Sequence, residues 1–294
     1  MFPPEFDYRR AETVTEALSL LSDHADRDVR LLAGGQGLVA DLKAGAATPD
    51  LLVDVGDLTS LAGVTVAADR VTVGALATHA EVATSATVRE HAPVLGATAE
   101  HVADLQVRNR GTVGGNLAEA DPTADLPAAV VAADATLHVR GPEGERTVAA
   151  TRFFEGEGRT VLGSDELLTG VSLPARTAGA YARETHPATG YAMAGVAATL
   201  DVADGVVSAA GVAATGVADR PVRLGTVEER VVGAPVEDVD PAAAAAGAAE
   251  PIAADRLVGD AHASGEYRLQ LLPTVAERAV EQALEGAAAG GGPA

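Results

Sequence analysis

The residues from 29 to 55 leave the chain little choice of local topology. Val29–Leu32 is a short apolar run, Gly34, Gly35 and Gly37 follow with one glutamine among them, and residues 37–43 read as a short helix. "TPDLLVDV" (48–55) then breaks at a proline and becomes apolar again. Two strands joined through a helix run parallel, because no tight hairpin turn is left to reverse the chain. The expectation is a compact βαβ-like unit of about 27 residues. Its turn admits two readings. Glycines punctuate tight turns with no further purpose. Successive backbone N–H groups ahead of a helix also cradle anions, and glycine lets a phosphate oxygen approach closer than a Cβ permits. The pattern is not a Walker A loop, since no G-K-[ST] follows, and Leu38-Val39-Ala40 breaks G-x-G-x-x-G.

A second turn, Gly111-Thr112-Val113-Gly114-Gly115-Asn116, has the same character, with Thr112 and Asn116 as polar contacts. Two such turns fit a ligand with two phosphates. A side chain at Gly35 or Gly114 is then expected to take the phosphate's place and leave the fold intact. Asp121-Pro122-Thr123-Ala124-Asp125 follows. It reads as a helix start, with Asp as cap and Pro at the first position. A carboxylate this near a phosphate would repel it, so any ligand contact here is to a hydroxyl, such as one on ribose or ribityl.

Residues 13–25 read as a helix, with Val14, Ala17, Leu18 and Leu21 at helical spacing. Residues 64–83 read as a hairpin about Ala67-Ala68-Asp69 and a helix capped at Thr78. A helix follows Pro93, with Val94, Leu95, Ala97, Thr98 and Val102 inward, and then a helix near 125–133 and a strand over 135–140. A boundary is expected between Pro174 and Gly179. Beyond it, residues 191–217 alternate as strand, turn at Asp204-Gly205 and strand, with helices at 224–232, 240–250 and 266–285. An antiparallel sheet backed by helices is an ordinary two-layer arrangement. The last residues, 287–294, have nothing to bury and are expected to be disordered.

Taken together, "AGGQGL", "VRNRGTVGGNLAEADPTADLPAA", "GYAMAGVAA" and "ASGEYRLQLLPTVAERAVEQAL" resemble the FAD-binding medium subunit of the molybdenum hydroxylases. That family includes the carbon monoxide dehydrogenase medium subunit and the flavin segment of xanthine dehydrogenase. The likeness runs in order from about residue 3 to 285, and R-N-x-G-T-x-G-G-N followed by D-P-x-x-D-x-P is its most specific part. The resemblance implies an α+β fold. A two-subdomain FAD-binding domain of the PCMH type would occupy 1–176, with subdomains of about 1–56 and 57–176. A C-terminal antiparallel sheet packed with helices would occupy 177–286.

The resemblance also implies roles. Residues 32–39, including Leu32, Ala33, Gly34, Gly35, Gln36, Gly37 and Leu38, would match the family's pyrophosphate loop through backbone N–H groups. Thr112, Val113, Gly114, Gly115 and Asn116 would match the second FAD loop. Asp125 falls at the acidic position that binds a cofactor hydroxyl, and Val102 at an apolar position near the flavin. Arg183 stands where the family often has a lysine near the isoalloxazine; it keeps the charge but has a planar fork. Tyr191 is either beside the flavin ring or a strand-face aromatic in the core.

In such an enzyme this chain does not touch the organic substrate. A molybdenum-cofactor large subunit oxidises it, a [2Fe–2S] small subunit carries the electrons, and the flavin here delivers them to NAD, a quinone or oxygen. No residue of this chain is expected to act as a catalytic acid or base or as a metal ligand. The chain has no cysteine, so iron–sulfur thiolates belong to partners, in a heterotrimer or its dimer. Two other functions share the pattern: a non-catalytic nucleotide-binding protein on the same fold, and a stand-alone flavin oxidase.

Charge narrows the setting. The net charge is −21, which repels nucleic-acid backbones. No apolar run approaches the roughly 20 residues of a membrane span, and "MFPPEFDYRR" lacks an export pattern, so the cytoplasm is expected. Lys43 is the single lysine. A strongly acidic, lysine-poor surface suits a salt-rich, halophilic cytoplasm, where salt screens self-repulsion; genomic bias toward Ala, Gly, Arg and Val would leave a similar mark. The melting temperature is expected to climb as KCl is raised to molar levels, and a flat profile would contradict the salt-adapted reading.

Overall fold

The computed structural model describes residues 3–176, 178–187 and 190–290. It is an α+β structure with three main sheets. The first is parallel throughout, in the order Asp7–Arg10, Leu51–Asp54, Val29–Leu32. The expected βαβ unit is present, with the helix Leu38–Ala44 ending at Gly45 in the left-handed region (φ 76°). Leu51, Leu52 and Val53 are buried on the central strand, and Leu18 and Leu21 of the helix Val14–Asp23 cover it. Thr13 caps that helix by accepting from the Glu16 N–H.

The second sheet is antiparallel, in the order Val64–Ala67, Arg70–Gly74, Leu167–Pro174, Thr136–Gly141, Gly144–Ala149. Its hairpin turns at Ala68 with positive φ, as the Ala67-Ala68-Asp69 reading requires. Leu167–Pro174 is its central strand and closes the sheet only after about a hundred residues of intervening chain. Thr78 and Glu81 form a reciprocal capping box that starts the helix His79–Thr84. The Asp121 segment does not start a helix. Asp121 accepts from the Thr123 N–H and hydroxyl, both at 2.7 Å, and closes a turn. The helix Leu126–Ala132 begins later, with Pro127 in its first turn.

The third sheet, in the order Ala178–Thr185, Ala192–Ala203, Val206–Thr215, Val222–Arg223, is antiparallel. It is covered on both faces, which explains its alanine-rich strands. Ala180, Ala182, Ala194, Val196 and Ala198 face the long helix Gly265–Gly290. Tyr181, Ala197 and Ala213 face the core that holds the helices Pro93–His101 and Leu126–Ala132. Small side chains at these positions let helices approach the sheet; a Cβ on Gly179 would stand 3.0 Å from Val94 Cβ.

Two further expectations need correction. Only Pro241–Ala245 of 240–250 is α-helical, capped by Asp240. Residues 287–290, read as tail, continue the final helix: alanine has the highest helix propensity, and Ala287 packs against the buried cluster beneath. Residues 291–294 lie outside the described residues.

The third sheet is tied to the turn before Asp125 by Thr215. Its buried hydroxyl lies 2.7 Å from the Ala124 carbonyl and 3.0 Å from that of Pro122, and the Gly216 N–H donates to Pro122 at 2.8 Å. Thr215→Val leaves the Ala124 carbonyl without this donor. Urea denaturation should show a loss of about 1–3 kcal/mol, the cost of an unmet buried polar group.

Candidate functional site

The two glycine turns meet, and they do so backbone to backbone. A Cβ on Gly34 would fall on the Arg110 carbonyl and 2.9 Å from Gly111 Cα. In the first turn, the N–H groups of Gly34, Gly35, Gln36 and Gly37 have no partner within the described residues. The helix begins beyond them, with Val39 N–H donating to the Gly35 carbonyl at 3.1 Å. This turn therefore presents a run of open donors.

The second turn is built differently. Val113 N–H donates to Ala77, Gly114 N–H to Ala75, and Asn116 N–H to Thr112. Thr112 Oγ1 accepts from Gly115 and caps the helix Val113–Glu119. A Cβ on Gly114 would lie 2.5 Å from Ala75 Cβ and 2.8 Å from Ala75 O. The expectation that both turns offer free amides is corrected: those of the second turn from Val113 to Asn116 serve the fold. A side chain at Gly114 would therefore disturb packing, and one at Gly35 (φ 72°) would strain the backbone, so neither spares the fold.

Between the turns lies a cleft of about 620 Å³. Ala33, Gly34, Gly35, Gln36, Gly37 and Leu38 form one wall. Thr112, Gly114, Gly115 and Asn116 form another, and Val102, Asp125, Arg183 and Tyr191 complete it. Leu32 instead lines a neighbouring cavity of about 440 Å³ behind Gly34 and Gly35, with Arg10 and Arg110. Val113 is fully buried in the core and lines neither cavity. Asn116 Oδ1 is enclosed and has no hydrogen-bond partner.

At one end of the cleft, Asp125 is buried but not idle. Tyr181 donates its hydroxyl to Oδ1 at 2.5 Å, and Arg183 Nη1 donates to Oδ1 and Oδ2 at 3.1 and 3.0 Å. Burial raises the carboxyl above its usual range, opposed by Arg183 and Tyr181. Arg183 therefore faces the cleft with its charge already paired. Tyr191 is 59 % exposed, which overturns its reading as a core aromatic.

Among the ionisable groups of the cleft to which sequence reasoning gives no role, His79 and Glu119 are the two whose burial shifts them most. For His79, its place directly after the cap residue Thr78 is the only signal in the sequence. Glu119 was missed entirely. Its carboxyl rests over Gly37, where a Cβ would overlap it. Burial, then the nearby charges of Asp121 and Asp41, push it up to about 7.

The comparisons with known proteins agree with this geometry. Residues 4–176 match the family model described as the FAD binding domain in molybdopterin dehydrogenase, and residues 180–283 match the CO dehydrogenase flavoprotein C-terminal domain. The chain is 34% identical to the 6-hydroxypseudooxynicotine dehydrogenase complex subunit alpha of Paenarthrobacter nicotinovorans, covering 97% of this chain and 96% of that one. It is 33% identical to the carbon monoxide dehydrogenase medium chain of Afipia carboxidovorans, covering 96% and 98%. Among solved structures, a Cu,Mo-CO dehydrogenase in its cyanide-inactivated form matches with a TM-score of 0.90 at 32% identity, covering 97% and 100%. Quinoline 2-oxidoreductase from Pseudomonas putida 86 matches with a TM-score of 0.89 at 32% identity, covering 98% and 99%. The chain is an FAD-carrying oxidoreductase subunit. It belongs to the family of FAD-binding medium subunits of molybdenum hydroxylase complexes.

The residues present fit FAD. A diphosphate requires unengaged donors, which the first turn supplies. The enclosed Asn116 oxygen lacks a donor, and cofactor hydroxyls or amides supply one. Glu119 is the discordant group, because a carboxylate over Gly37 opposes a phosphate there. Its raised value has a consequence for stability. Between pH 4.5 and about 7 the folded chain retains a proton that the unfolded chain has released, so stability falls as pH rises through that window. Glu119→Gln should flatten that decline in denaturation curves taken without FAD; an unchanged slope would place the proton elsewhere.

Proposed function

We propose that this chain takes electrons from a [2Fe–2S] subunit and passes them to an external acceptor within a molybdenum hydroxylase complex. The observation that carries the reading is the run of open amides from Gly34 to Gly37, in residues that line a cleft together with the second turn. In this reading those amides, with Leu38 opening the helix, hold the diphosphate. Asp125 accepts from a ribityl or ribose hydroxyl through lone pairs left over from Tyr181 and Arg183. Asn116 accepts a second hydrogen bond, while Val102, Arg183 and Tyr191 flank the ring.

The flavin supplies the exchange between one-electron and two-electron carriers. The chain's own part is placement. Tyr181 and Arg183, both on the strand Ala178–Thr185, hold the Asp125 carboxylate in a fixed orientation at the cleft wall. Residues 1–176 and 177–286 act as the cofactor-binding and C-terminal units. With no cysteine in these residues, the cluster sits on a [2Fe–2S] small subunit and substrate oxidation on a molybdenum-cofactor large subunit, in a heterotrimer or its dimer. The relatives' names, a complex subunit and a medium chain, support partnership. No helix among the described residues is long and apolar enough to cross a membrane, and we place the complex in a salt-rich cytoplasm.

Purification from the native source, followed by metal and flavin analysis, tests this reading. The expected result is co-elution with molybdenum, iron and one FAD per copy of this chain. A chain that elutes alone and oxidises small substrates with oxygen would instead be a stand-alone oxidase. A colourless chain that refuses FAD at high salt would be a nucleotide-binding protein.

A further inference from the structure

We propose that His79 is a further cofactor-contacting residue: its Nε2 donates a hydrogen bond to a ligand oxygen at the point where the two glycine turns meet. This rests on the FAD reading and adds to it a residue that neither turn contains. His79 is 2 % exposed, yet it lines the cleft. It is the first residue of the helix capped by Thr78, and its backbone N–H donates to the Gly111 carbonyl at 3.0 Å. The ring lies against Gly111, whose Cβ would stand 2.9 Å from Cδ2 and 3.1 Å from Nε2.

Neither ring nitrogen has a hydrogen-bond partner among the described residues, and Nδ1 is completely enclosed. Buried imidazoles are ordinarily bonded, so a chain that keeps one bare beside a binding cleft leaves a bond for something else to complete. Burial, with Arg108 nearby, lowers the ring to about 4, so it is neutral near pH 7 and carries one N–H. An enclosed bare acceptor is better tolerated than an enclosed N–H. The proton therefore belongs on Nε2, which lies beside Gly111 and is not among the enclosed atoms. Gly111 in turn touches Gly34, so the oxygen that Nε2 meets is a phosphate or sugar oxygen held at that junction.

The test uses the full chain with FAD, ADP and riboflavin as probes. His79→Phe removes both nitrogens and should weaken FAD about tenfold, one hydrogen bond's worth, while leaving the melting temperature of the FAD-free chain unchanged or higher. His79→Asn retains a donor and should recover much of the affinity. A matching loss for ADP assigns the oxygen to the diphosphate or ribose, and a matching loss for riboflavin assigns it to the ribityl chain. FAD binding equal to wild type in a folded His79→Phe chain would overturn the inference. Should that variant not fold, ¹⁵N spectra of the wild-type ring decide: an Nε2–H tautomer whose signal moves on adding FAD supports the bond, and an unmoved signal overturns it. A wild-type chain that binds none of the probes would instead bring down the flavoprotein reading itself.

Discussion

The structure depends on one contact in which backbone meets backbone. Gly34 lies so close to the Arg110 carbonyl and to Gly111 that no side chain fits between them. That contact seats the parallel βαβ unit on the antiparallel sheet, because the second turn is itself stitched to Ala75 and Ala77. The two turns therefore divide the work. The second uses its amides from Val113 to Asn116 to fix its own position. The first, held by steric fit rather than by hydrogen bonds, keeps its amides open. Glycine occurs in both because a Cβ at Gly34 or Gly114 would collide with the facing chain, while Gly35 takes a positive φ.

A similar use of missing side chains shapes the other end of the cleft. Gly195 stands next to the Tyr181 ring, 3.0 Å from Cζ to where its Cβ would be, and the space it leaves admits the Tyr181 hydroxyl. That hydroxyl and Arg183 both reach Asp125, so the third sheet touches the cleft through a buried, charge-assisted network. Removing one member of such a pair is costly, because the other charge stays buried alone. Asp125 thus connects the sheet's position to the site's chemistry, and the two cannot be varied independently.

Much of this was legible in the residues. The strand, glycine turn and helix from Val29 to Ala44 could be read because period and punctuation change together there. The cap at Thr78 was visible from the glutamate three residues on. Asp7–Arg10 was not readable as a strand, since all four residues are exposed and nothing alternates; its place comes from pairing with Leu51–Asp54. Leu167–Pro174 is buried nearly end to end, so its apolar residues carry no period-two signal. The family string identified the cleft's walls but not His79 or Glu119, whose importance comes only from what the fold brings beside them. Nor could spacing show that Arg183 is neutralised by Asp125, fifty-eight residues away.

The open amides, the bare Asn116 oxygen and the unbonded His79 ring all lie along one cleft. The enclosed Asn116 oxygen and His79 nitrogen are a cost to the fold, since buried polar groups without partners are destabilising, whereas the open amides belong to a half-buried to exposed turn. Arg176 Nε and Arg268 Nε are also enclosed without a hydrogen-bond partner, but each guanidinium is bonded through another nitrogen; His79 Nδ1 and Asn116 Oδ1 differ in belonging to residues that line one and the same cleft. That is what a site looks like when the ligand completes the hydrogen bonding. A ligand that binds only the folded state then returns that stability by mass action. Completing the cradle with protein groups would remove the cost and the site together, so the cleft's unmet polar groups and its capacity to hold a dinucleotide are the same property.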